Sequence, residues 1–140
     1  MDASVIKCIL EVSEVGRDTL GNLIKKSDDS GFRSVMADEF AKFQDITRNT
    51  MEYAAKNNIS FKSSKKFRAN PLSNFRLGTL SIKKTPEYLA EMLVVSNIIG
   101  LIDIKKALKE CGEANEDVKA LAYSLIDVLN SNIQEMLSFV

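Results

Sequence analysis

The sequence predicts an all-α protein, a four-helix bundle, on three observations. Four long stretches repeat apolar residues every three or four positions, the spacing that lines one face of a helix. No stretch competes with the strict polar–apolar alternation of a half-buried strand. Two of the three connections are only about four residues long, which makes each flanking pair an antiparallel hairpin, while the middle connection is far longer. The 140 residues are read as one domain, 1–140, large enough to bury a substantial core.

The first helix is expected over 4–26. Val5, Ile9, Val12, Gly16, Thr19 and Leu23 form its stripe, widened by Ile6, Leu20 and Ile24, and Lys25 and Lys26 sit in a last turn that favours cations. Asp28-Asp29-Ser30-Gly31 is a turn able to cap the next helix. That second helix covers 32–56 with a seam of Phe32, Met36, Phe40, Phe43, Thr47, Met51 and Ala54, and Asn57-Asn58 stops it. The third covers 86–110: Thr85 caps, Pro86 occupies the first turn and Glu87 complements the positive end. It is apolar on more than one face, through Leu89, Met92, Leu93, Val94, Val95, Ile98, Ile99, Leu101, Ile102 and Ile104, and ends at Cys111-Gly112. The fourth, over 116–139, follows Asn115 and carries Val118, Leu121, Leu125, Val128, Asn132, Met136 and Phe139. The connection 57–85 is long enough to run the length of the bundle as a crossover, which makes helices two and three parallel. Leu72, Phe75, Leu80 and Ile82 suggest a short helix within it, lying across helix three.

Composition excludes several chemistries. There is no histidine, so a Glu-x-x-His di-iron site, a histidine-ligated haem and a His-based triad cannot be built from this chain. No Cys-x-x-Cys, Gly-x-Ser-x-Gly or phosphate-loop spacing is present. The formal net charge is zero, but unevenly spread: seven of the 19 basic residues and none of the 19 acidic ones fall within 57–86, leaving 12 basic against 19 acidic elsewhere. The most apolar run, 92–102, is too short to cross a bilayer, and Met1-Asp2-Ala3-Ser4 lacks the character of an export signal. A cytoplasmic setting without membrane attachment is therefore expected, with Cys8 and Cys111 as small core fillers.

Phe40-Ala41-Lys42-Phe43-Gln44-Asp45-Ile46 and Asn132-Ile133-Gln134-Glu135-Met136-Leu137, with two hairpins and one long crossover, resemble the second and last helices of small bacterial members of the ferritin-like superfamily. The resemblance implies a ferritin-like bundle with carboxylate and histidine metal ligands. Carried over residue by residue, the first-helix carboxylate falls on Glu14 or Glu11, and the second-helix pair on Glu39 with Lys42 in place of histidine. The third-helix carboxylate falls on Glu91 or Asp103. The fourth-helix pair falls on Leu129 and Asn132, which supply neither ligand. The ligand set is thus degenerate. No metal or other cofactor is expected, and Glu14, Glu39 and Glu91 are the remaining candidates for an all-carboxylate site. Lys42 opposes a cation and is expected to pair with Glu39 or Glu14 instead.

Glu39 and Asn132 sit beside the apolar seams, either as a remnant polar site or as structural polar groups that fix register. Phe61, Phe67 and Phe75 interleave with Lys62, Lys65, Lys66, Arg68 and Arg76, a pattern that serves polyanion or nucleic-acid binding, or simply anchors a loop whose cations face water. Ser96 and Gly100 form a small-x-x-x-small pair that permits close helix packing. The expected role is a non-catalytic interaction module that self-associates as a homodimer, or meets another protein, through Val94, Val95, Ile98, Leu101 and Ile102, because helix three is more apolar than one bundle seam requires. Polyanion binding through 57–86 and metal binding or metal-dependent oxidoreduction by the degenerate carboxylates are the alternatives.

Overall fold

A computed structural model of the chain describes residues 2–60 and 85–140. These residues form four α-helices and no strand: α1 (Asp2–Ile24), α2 (Ser30–Lys56), α3 (Pro86–Cys111) and α4 (Glu116–Leu137). The short helix expected over 72–82 lies outside the described residues.

Local chemistry sets the boundaries. The Asp29 carboxylate accepts from the Phe32 amide at 2.8 Å, the Thr85 hydroxyl from Tyr88 at 3.4 Å, and the Asn115 side-chain oxygen from Asp117 at 2.8 Å, so each helix after the first has a side-chain N-cap. Asn58 ends the α2 region at φ 52° and Gly112 follows α3 at φ 75°, the left-handed region where glycine carries no Cβ penalty. α1 stops two residues earlier than its sequence pattern suggests. The amides of Lys26 and Ser27 both donate to the Leu23 carbonyl, closing a turn that places Lys25 and Lys26 beyond the helix. α4 likewise stops at Leu137; Phe139 then folds back and meets the Phe32 ring edge-on at 5.0 Å.

Packing fixes the helix directions. On α2, Phe43 lies over Gly16 and Phe40 near Gly21, so α1 and α2 are antiparallel. Gly100 of α3 meets Val12 of α1 and Leu129 of α4. The Asn115 amide donates to Asp2 at 3.2 Å, joining the start of α4 to the start of α1. Hence α1 and α4 share one direction, and α2 and α3 the other. α1 packs on α2, α3 and α4, and α4 packs on α2 and α3 as well. The last described residues after α2 and the first before α3 therefore lie at opposite ends of the bundle.

The core runs the full length of the helices, from Val5, Ile9, Val118 and Ala54 to Leu23, Phe32, Leu89 and Met136. Two positions in α2 depart from the sequence reading. Phe40 is only half-buried and Met51 is 55% exposed, whereas Glu39 and Thr50 are fully buried. The inward line is Phe32, Met36, Glu39, Phe43, Ile46, Thr47, Thr50 and Ala54. An assignment that places only apolar residues inside slips by one position wherever a polar residue occupies the seam.

Candidate functional site

Two regions of this frame carry unusual chemistry: a polar island inside the bundle and an apolar line outside it. The island is built by α2 and α4. Glu39 and Asn132 are both fully buried, and none of their side-chain oxygens or nitrogens makes a hydrogen bond of normal geometry; the same holds for Oε1 of Glu135. Asn132 and Glu135 are one turn apart on α4, so they share a face. Antiparallel packing of α2 and α4 brings that face to Glu39. Burial first, then interaction with the adjacent Glu135 carboxyl, push the Glu39 carboxyl up to about 9, with the Lys42 charge acting in the opposite direction. At neutral pH Glu39 is therefore a neutral acid beside a second carboxyl. No ion pair joins Lys42 to Glu39 or Glu14; the expected neutralising pair does not form.

The other carboxylates do not converge on this island. Glu14 is half-buried on α1, Glu91 is exposed on α3, and Asp103 is buried on α3 near Cys8. Among the described residues, no group of three or more Cys, Asp or Glu side chains is placed to hold a metal ion. Cys8 and Cys111 are both free thiols. Burial first, then the charges of Asp103, Glu11 and Glu110, push the Cys8 thiol up to about 12, which leaves almost no nucleophilic thiolate at neutral pH. The Thr50 hydroxyl is also buried without a hydrogen bond, whereas several other buried polar groups are satisfied within the frame. The Ser13 and Thr47 hydroxyls lie 2.9 Å apart and reach the Leu10 and Phe43 carbonyls. Asn97 donates to the Leu93 carbonyl at 2.7 Å. Gly100 faces inward: a Cβ there would come within 2.8 Å of Val12. The Ser96–Gly100 pair thus serves close packing of α1 on α3.

The outer line lies on α3. Ile98 is 41% and Ile102 46% exposed, while Val94, Val95 and Leu101 are half-buried. The helix turns its other side, Leu89, Leu93, Asn97, Gly100 and Ile104, into the core. All five sequence-predicted interface residues therefore fall on one side of one helix. The basic candidates Lys62, Lys65, Lys66, Arg68 and Arg76 lie outside the described residues. Among the described residues, no helix is long and apolar enough to cross a membrane.

The sequence reading named Glu39 and Asn132 but not Glu135. The signal for it is the spacing Asn132-x-x-Glu135, which puts an acid one turn beyond a buried amide. Compared with known families, with curated proteins and with solved structures, the chain matches none.

Proposed function

We propose that this chain is a ferritin-like bundle without di-metal chemistry, and that it serves as a non-catalytic interaction module pairing with a second copy of itself through α3. The observation that carries this reading is the line of Val94, Val95, Ile98, Leu101 and Ile102 on the outer side of α3, with Ile98 and Ile102 more than two-fifths exposed. Apolar residues scattered singly over a surface need no explanation. Ile98 and Ile102, however, are exposed one turn apart and flanked by half-buried Val95 and by Val94 and Leu101, which also pack on the core, and this continuity favours a contact surface. The helix directions favour the ferritin-like reading, because the chain must pass from one end of the bundle to the other between α2 and α3. Lys42 and Asn132, standing where that superfamily has histidine ligands, favour the loss of its metal chemistry.

The test is the double variant Ile98→Lys/Ile102→Lys. Both side chains point outward, so the bundle should still unfold near the wild-type temperature. Burial of an isoleucine is worth about 1.5–3 kcal/mol, and each change acts on both copies. Association should therefore weaken on the order of 100-fold or more, read by sedimentation velocity. Unchanged association with an intact fold would remove α3 from the interface.

A further inference from the structure

We infer that the second copy docks with its α3 antiparallel to the first, about a two-fold axis passing at Ile98. This rests on the self-association reading above and specifies its geometry. At 100° per residue, the positions within about 60° of Ile98 around the helix are 87, 91, 94, 95, 98, 101, 102, 105 and 109. They hold Glu87 and Glu91 at the start, five apolar residues in the middle, and Lys105 and Lys109 at the end. All four charged residues are exposed. None of them forms an ion pair within the described residues.

This order is self-complementary. Glu91 and Lys105 stand equally far from Ile98 on either side, and so do Glu87 and Lys109; Val94 and Ile102 form such a pair too, as do Val95 and Leu101. Turning one helix end over end onto another therefore sets Glu91 against Lys105 and Glu87 against Lys109, each twice, around a continuous apolar centre. A parallel pairing would set Glu91 beside Glu91 and Lys105 beside Lys105, which like-charge repulsion disfavours. The two-fold operator also closes the assembly at two copies, because each copy uses the same patch. The charged ends fix orientation and the apolar centre supplies the contact area.

Charge reversal on the full chain tests the orientation. Glu91→Lys alone, or Lys105→Glu alone, replaces two attractive contacts by two repulsive ones. Each should weaken the dimer on the order of ten-fold at low salt, with the difference shrinking at high salt. Combining Glu91→Lys with Lys105→Glu in one chain should restore wild-type affinity. Mixing the two single variants should give heterodimers well above the statistical half, since every end contact is then attractive; native mass spectrometry reads the proportion. Unfolding midpoints close to wild type confirm that the variants keep their fold. Single variants that pair as tightly as wild type, or a statistical mixture, would overturn the antiparallel register while leaving self-association standing. A wild-type chain that stays monomeric when concentrated would instead overturn the self-association reading itself, and this inference with it.

Discussion

Glu39 is the residue on which the interior chemistry turns. A carboxylate buried without a cation costs several kcal/mol, so the group keeps its proton rather than its charge. Its value of about 9 in the fold lies above the ordinary 4.5 of an exposed glutamate. The folded state therefore binds one more proton than the unfolded chain between those limits. Stability from this group is fully present below about pH 4.5, declines as pH rises, and is gone once pH passes about 9. Glu39→Gln keeps the shape but removes the titration. It is expected to stabilise the protein by about 1–3 kcal/mol at pH 7 and to flatten the loss of stability between pH 6 and 9, measured by urea unfolding across that range. A variant less stable than wild type at pH 8 would contradict a buried, neutral Glu39. Sequence alone shows a glutamate flanked by Met36 and Phe43 but not its partner, because Glu135 reaches it only through the pairing of α2 with α4.

At the level of the helices, the ends were largely legible, and so was most of the inward register, with Phe40 and Met51 of α2 the clear departures. Asp29, Thr85 and Asn115 cap as their residue types suggest, since a cap depends on three or four neighbouring residues. Which side of α2 faces inward depends on α1 and α4, and the polar Glu39 and Thr50 hide part of that face from a reading of apolar spacing. The paired glycines of α1 give a sharp test of this packing. A Cβ on Gly16 would come within 2.6 Å of the Phe43 ring, whereas one on Gly21 would meet Phe40 at an ordinary 3.5 Å. Both changes to alanine gain about 1 kcal/mol of helix propensity. At Gly16 that gain is outweighed, because Phe43 is 2% exposed and its displacement costs typically 1–3 kcal/mol. Gly21→Ala should therefore raise the unfolding temperature and Gly16→Ala lower it. Equal shifts in the two variants would show that Phe43 does not lie where the α1–α2 contact places it. α3 presents a different difficulty. Its apolar residues surround much of the helix, so spacing alone identifies an excess without saying which part remains outside; the contacts of Gly100 with Val12 and Leu129 decide that.

For the whole molecule, the four helices and the two short hairpins follow directly from apolar period and loop length. The order in which the helices touch does not, because it is set by contacts between residues far apart in sequence, such as Asp2 with Asn115. The absence of histidine and the scattering of Glu14, Glu39 and Glu91 give the bundle interior no assembled metal site among the described residues. The feature that points outward is the apolar centre of α3 between its acidic and basic ends. The most direct test is sedimentation equilibrium of the full chain at about 0.1 M salt, where exposed charges still interact over roughly 10 Å. Self-association through α3 predicts a limiting mass of twice 15.6 kDa that returns to the single-chain mass in Ile98→Lys/Ile102→Lys. A wild-type mass of 15.6 kDa at the highest concentration reached would contradict it.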